Sequence, residues 1–293
     1  MNRRHLIKGA LGLICAPLSS SLFAEIARSL PHTNTLPVAF IGHGSPMNAI
    51  EDTPFAQTWR KLGQQLPKPA AILCVSAHWL TRGSFVSAAT QPDTIHDFGG
   101  FPQALFDVQY RAPGSPEGAA LVQTLTRQAS GQALVRLDDK QGLDHGTWSV
   151  LSRMYPDADI PVFQLSIDYH RPMAYHYQLA QQLSTLRERG VLIIGSGNIV
   201  HNLRAVRMID GGYDWALAFN QRIKELLLDG DHQSILNYPQ FGQAAQLSVP
   251  TPDHYIPMLY AIGLQRANDR LEFFNDSVTR GAISMSSFTL TAS

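Results

Sequence analysis

Cysteine is scarce in this chain: Cys15 and Cys74 are the only two among 293 residues. Cys15 lies in an N-terminal apolar run that export would remove, which leaves Cys74 as a lone thiol with no partner for an internal disulfide. The mature fold therefore has to stand on its hydrophobic core. Net charge is also lacking, since 23 basic and 23 acidic residues cancel. Nothing points to nucleic acid or to an anionic membrane, both of which favour a basic face. The N-terminal apolar run is too short to cross a bilayer as a stop-transfer helix, so no stable membrane insertion is expected after export. There is no internal repeat, no low-complexity tract and no break in composition that would argue for a second domain. Hydrophobic content of 44% and charged content of 16% fit an ordinary globular protein.

Histidine is what the chain has in excess, 11 residues. It titrates near neutrality and is the commonest metal ligand. A high count by itself is compatible with scattered surface residues, so position has to decide.

Residues 1–30 read as an export signal. Arg3-Arg4 and Lys8 supply a basic start, an apolar run extends from Ala10 to Leu18, and small residues follow to Ala24. The paired arginines before Leu6-Ile7-Lys8 resemble a twin-arginine signal, which exports folded cargo. Cleavage is expected after Ala24 or Ala27. The protein is then expected in the periplasm, or in the cytoplasm if the segment is not a signal, with residues 31–293 as the mature domain.

Beyond the signal, apolar runs at 36–41, 71–77, 133–137, 161–167 and 191–194 predict buried strands. Residues 54–66, 116–129, 172–189, 214–228 and 254–264 predict helices, and 271–276 and 281–290 predict terminal strands. This alternation implies an α/β fold: a single domain with a central mixed, largely parallel sheet flanked by helices on both faces. Residues 81–114 are rich in glycine, proline and aromatics and show no period; such a segment is usually functional when ordered.

In open α/β sheets, ligands bind beyond the carboxyl ends of the strands. His43, His78 and His201 each fall at or just after a predicted strand end. With His254, at the entry to the helix predicted at 254–264, they form a set of imidazoles suited to zinc, iron, copper or nickel rather than to magnesium or calcium. Ser45, Ser76, Asn198 and Asp253 are the polar neighbours expected to orient the rings. Each histidine alone also reads as an ordinary turn or strand-end residue, and convergence at one sheet edge is what sets them apart. His145, between Asp144 and Gly146, reads either as a substrate-binding or proton-transfer residue or as a loop residue beside the helix near Trp148. His96 is more simply read as a packed residue than as a pocket wall. His170, His176 and His232 read as surface residues. Phe98, Phe101, Phe106 and Tyr110 suggest a wall for an aromatic ligand.

Five stretches, in order, resemble the class III extradiol ring-cleavage dioxygenases of the DOPA 4,5-dioxygenase type. They are Gly42-His43-Gly44-Ser45-Pro46, Ser76-Ala77-His78-Trp79, Leu143-Asp144-His145-Gly146, Gly195-Ser196-Gly197-Asn198-Ile199-Val200-His201-Asn202-Leu203 and Asp253-His254-Tyr255-Ile256-Pro257. The resemblance implies one divalent ion, Zn2+ or Fe2+, held by His43, His78 and His254, the last standing where other ring-cleaving members have glutamate. It implies an acid/base role for His201, or a fourth ligand position in zinc-loaded members, and substrate contact for His145. The implied partners are a small catechol, DOPA or a relative, and O2, both of whose atoms are inserted beside the diol. Three neutral ligands leave the site one negative charge poorer than the glutamate pattern. Because zinc cannot donate an electron to dioxygen, a native zinc would point instead to a hydrolase. A non-catalytic, metal-binding exported protein is the third reading. The sequence leaves the oligomeric state open.

Overall fold

The computed structural model describes residues 30–128 and 130–293. The export signal expected over residues 1–30, with its arginine pair and Cys15, lies outside the described residues except for Leu30. A six-stranded sheet forms the centre: β1 (Val38–Gly42), β2 (Ala71–Ser76), β3 (Val162–Gln164), β4 (Val191–Gly197), β5 (Asp269–Phe274) and β6 (Ser287–Ala292). Their spatial order is β3-β2-β4-β1-β6-β5. The first four strands run parallel, β6 pairs antiparallel with β1, and β5 pairs antiparallel with β6. The sheet is therefore mixed and largely parallel, as the alternating pattern predicts.

Register is what prepares the site. Ser196 of β4 sits beside both Ser76 of β2 and Ile41 of β1. The carboxyl ends of these three strands are consequently level, and whatever follows them shares one edge of the sheet.

Six longer helices cover the sheet: α1 (Pro54–Gln65), α2 (Pro116–Leu125), α3 (His145–Met154), α4 (Met173–Gln182), α5 (Asp214–Asp229) and α6 (Ile256–Gly263). Successive strand residues point to opposite faces. Val38 and Phe40 of β1 thus join a core with Leu179 of α4, Ile223 of α5 and Leu259 of α6. Ala39 and Ile41 join a second core with Trp59 of α1 and with Trp148 and Leu151 of α3. Both faces are buried, which is why β1, β2 and β4 read as continuous apolar runs rather than alternating ones. Cys74 is a buried free thiol in β2. No helix among the described residues is long and apolar enough to cross a membrane.

Several predicted boundaries move. The helix expected over 116–129 stops at Leu125, where Thr126 turns extended and its hydroxyl donates to the Val122 carbonyl. The helix expected over 172–189 splits into α4 and a 3-10 turn at Ser184–Glu188. Arg187, within that turn, is fully buried and donates to the carbonyls of Leu36 and Leu264 and to both carboxylate oxygens of Asp269. The strand expected over 281–290 divides into Ile283–Ser284, which forms a hairpin with Val278–Thr279, and β6. His176, read from the sequence as a surface residue, is buried on α4 with its Nδ1 3.2 Å from the Tyr260 hydroxyl of α6. That correction follows from the helix packing against α6 with its histidine face inward. His170 is exposed as expected, and His232 is half-buried between the Tyr177 hydroxyl and Gln265.

Candidate metal centre

Four of the elements just described deliver histidines to one point. His43 follows β1, and its amide donates to the Gly197 carbonyl at 3.1 Å. His78 follows β2, its amide held 3.2 Å from Ser76 Oγ. His145 opens α3, and His254 lies just before α6. The ring centroids of His43, His78 and His254 form a nearly equilateral triangle: 5.1 Å from 43 to 78, 5.2 Å from 43 to 254 and 4.9 Å from 78 to 254.

Hydrogen bonds determine which nitrogen of each ring carries the proton. Ser196 Oγ donates to the Gly146 carbonyl at 2.5 Å, so at 2.9 Å from His43 Nδ1 it has only a lone pair to offer. The proton of His43 is therefore on Nδ1, and Nε2 is a bare lone pair. His254 Nδ1 is 2.5 Å from the Asp253 carboxylate, an acceptor, which again leaves Nε2 bare. That Nε2 is buried without a partner. His78 Nδ1 lies 3.4 Å from Asp97 Oδ2, and its Nε2 lies 3.3 Å from Nε2 of His43. Bare nitrogens facing one another in a buried site repel, and a buried unpartnered acceptor is costly. A cation between them removes both penalties. The donor set, neutral imidazoles each with a partner behind it, fits a divalent transition ion.

Charge follows the same logic. Burial, reinforced by the neighbouring histidines, pushes His43 and His254 well below the usual imidazole range. Burial first, then His145, brings His78 down to about 3, and burial brings His201 down to about 4. These rings are neutral at neutral pH, the form in which imidazole binds metal.

Two further histidines flank the triangle. His201 stacks face to face on His254, with centroids 3.4 Å apart and planes 6° apart. His145 packs against His78 at 3.8 Å between centroids. Ligand atoms of His43, His78 and His145 lie within 4.8 Å of one another, as do those of His201, Asp253 and His254. The stack sets His201 beside His254, where its ring is in reach both of an ion held by His254 and of a molecule in the cavity.

Asp144, the residue before His145, is a buried carboxylate beneath the site. It caps α3 through the Thr147 amide and accepts from the Ser76 hydroxyl and the Gln164 amide, each at 2.6 Å. Burial raises its carboxyl, against the pull of those hydrogen bonds. Asp97, from the irregular segment, reaches in from the other side. Its Oδ1 accepts from the His145 amide at 2.9 Å and lies 3.0 Å from His145 Nδ1, off the N–H axis, so that second contact is electrostatic. Burial works to raise the Asp97 carboxyl, but contact with His145 and then His78 outweighs it and holds the group below the usual range.

Of the four residues expected to orient the rings, Asp253 alone touches one. Ser76 bonds Asp144, Asn198 donates to the Ser284 carbonyl, and Ser45 caps the turn at Met47. Ser196 and Asp97 take those orienting roles instead. Ser196 stands inside the Gly195-Ser196-Gly197-Asn198 motif, whereas Asp97 has no signal beyond its place in the aromatic-rich segment. The histidines open onto a cavity of about 490 Å³, in the range of small-molecule sites, whose walls include Phe55, Phe98 and Phe101. Phe106, Tyr110 and His96 pack behind it: Tyr110 bonds the Tyr155 carbonyl, and His96 Nε2 lies 3.0 Å from the Val108 carbonyl.

Residues 30–290 match the model of the catalytic LigB subunit of aromatic ring-opening dioxygenase. The chain belongs to that family, the class III extradiol dioxygenases. It is 45% identical to a 4,5-DOPA dioxygenase extradiol of Escherichia coli (strain K12), over 85% of this chain and 93% of that one. It is 40% identical to a 4,5-DOPA dioxygenase extradiol of Beta vulgaris, over 86% and 96%. A crystal structure of an uncharacterized Escherichia coli K12 protein superposes with a TM-score of 0.74 at 39% identity, covering 87% of this chain and 99% of that one. Within the family, the chain is an extradiol ring-opening enzyme of the 4,5-DOPA dioxygenase type.

Proposed function

We propose that this dioxygenase opens the ring of DOPA or a closely related catechol at a ferrous ion held by His43, His78 and His254. The observation that carries the reading is the triangle of the His43, His78 and His254 rings, two of them with Nε2 left bare by Ser196 and Asp253. The names of the relatives support DOPA as the substrate, and the aromatic walls of the cavity suit a catechol. Iron is favoured over zinc by the chemistry: a ferrous ion supplies the electron and the open coordination positions that ring opening by dioxygen needs, and zinc supplies no electron.

In this reading the protein residues divide the remaining work. His201 is neutral, borders the cavity and is stacked on His254, so it takes the catechol proton and returns one to the opening ring. His145, held at the head of α3 by Asp97, contacts the substrate and is the second proton carrier. Phe98 and Phe101 exclude water from the ring face. The charge deficit left by His254 in place of a carboxylate favours an anionic, singly or doubly deprotonated diol.

Metal analysis of protein purified without oxygen, followed by oxygen uptake on DOPA, tests this. About one iron per chain and stoichiometric oxygen consumption with a new ring-opened chromophore are expected. Full ferrous occupancy without uptake on any catechol sinks the reading. Export by residues 1–30 is part of the same proposal; replacing Arg3 and Arg4 by lysine should retain the protein in the cytoplasm, and unchanged periplasmic recovery argues against that route.

A further inference from the structure

The cavity is lined by more than the histidines. Glu51 and Arg280, of opposite charge, both line the cavity and both are exposed. Among the described residues neither is in an ion pair, with the other or with any third group. Asp52, next to Glu51, is by contrast paired with Arg60.

Both are held by their backbones, which leaves their side chains free for a ligand. The Glu51 amide donates to the Met47 carbonyl, and its own carbonyl accepts from Arg153 at 2.9 Å. Arg280 is the more unusual. It sits in the hairpin turn between Val278–Thr279 and Ile283–Ser284 with φ of 49°, a left-handed backbone that strains any residue with a side chain. The turn is pinned from outside: the Arg207 amide donates to the Arg280 carbonyl, the Tyr213 amide to that of Gly281, and the Gly281 amide to that of Gly211. Ile283 of the same hairpin bridges to His201. A strained arginine is thus fixed to the element that contacts the candidate proton carrier. Strain kept at a ligand cavity, where glycine would relieve it, points to a use for the side chain.

We propose that Arg280 and Glu51 form a second subsite, reading the carboxylate and the ammonium of an α-amino acid chain carried by the catechol. The assignment rests on the catechol reading above. With the diol at the histidines, the apolar wall of Phe55, Ile283 and Met285 suits the ring and its methylene, and the opposite charges suit the two ends of a zwitterion. A guanidinium matches a carboxylate fork, and a carboxylate accepts from an ammonium. These two residues therefore set which catechols the enzyme prefers.

Calorimetric titration of the zinc-loaded full chain, without oxygen, separates the two contributions. The probes are DOPA, 3,4-dihydroxyphenylpropionate, dopamine and 4-methylcatechol, against wild type, Arg280→Gln and Glu51→Gln. A crossed pattern is expected. Arg280→Gln weakens DOPA and dihydroxyphenylpropionate about tenfold relative to 4-methylcatechol, and Glu51→Gln weakens DOPA and dopamine by a similar factor. Equal loss across all four probes, or no loss, overturns the subsite, as does wild type that binds none of them. Oxygen uptake by ferrous-loaded wild type is measured alongside. A crossed binding pattern without uptake sinks the ring-opening reading and keeps the subsite; uptake without the pattern sinks the subsite alone.

Discussion

At the scale of single residues, a proton's position decides what the site can hold. Ser196 spends its hydrogen on the Gly146 carbonyl and so compels His43 to donate from Nδ1. Ser196→Ala should remove that constraint and lower zinc affinity by roughly 10- to 100-fold, as loss of a ring-orienting partner commonly does; unchanged affinity in a competition titration counts against the tautomer argument. His78 and His201 should behave differently from each other. His78→Ala should lose the metal, whereas His201→Ala should keep most of it and lose roughly 100-fold or more in turnover, in line with removal of a general base. Equal metal loss in the two variants makes His201 a fourth ligand. His43, His78 and His201 were legible from the sequence because each follows a strand end, and His254 because it stands at the entry to a predicted helix. Their partners were not. Ser196 is 153 positions from His43, and Asp144 is 68 from Ser76, so both pairings depend on sheet register rather than on local pattern.

At the scale of elements, α3 and the ends of β2 and β4 act as one mount. Gly146, the second residue of α3, has no room for a side chain: a Cβ there would lie 2.5 Å from Ser76 Oγ and 2.9 Å from the His78 ring. Gly197 is similar, with a Cβ falling 2.2 Å from the His254 carbonyl, so only glycine lets that loop close on β4. Gly146→Ala therefore sets helix propensity, which favours alanine by roughly 1 kcal/mol, against a collision costing about 1–3 kcal/mol. The collision should win. The variant should melt lower and bind zinc more weakly than wild type, and a higher melting temperature with intact affinity would contradict the packing described. The strand-helix alternation was readable because period and length are local. The anchoring of the 3-10 turn beyond α4 was not, since Arg187 bonds residues as distant as Asp269.

For the whole molecule, burying so many neutral imidazoles links folding to pH. His176 and His201 are held at about 4 and His78 at about 3, against an ordinary value of 6.5, by burial above all. The unfolded chain takes up protons near 6.5, and the folded chain does so only near 4 or below. Stability of the metal-free protein is thus complete above pH 6.5 and declines as pH falls from 6.5 towards 4. The urea midpoint should drop across that window, and zinc should raise it most at the neutral end, where the ligands need shed no protons. A midpoint that stays flat between pH 7 and 5 refutes the linkage.

By itself the amino-acid sequence determined the α/β class, the burial of the central strands and the identity of the histidines at their ends, because these follow from periodicity and from short-range backbone preference. Tertiary structure alone decided which way each ring faces, that Asp97 and Ser196 rather than Ser45 or Asn198 stand behind the rings, and that His176 is buried. Those outcomes depend on pairings between residues far apart in the chain, and such pairings exist only once the strands have taken their register and the helices have closed over them.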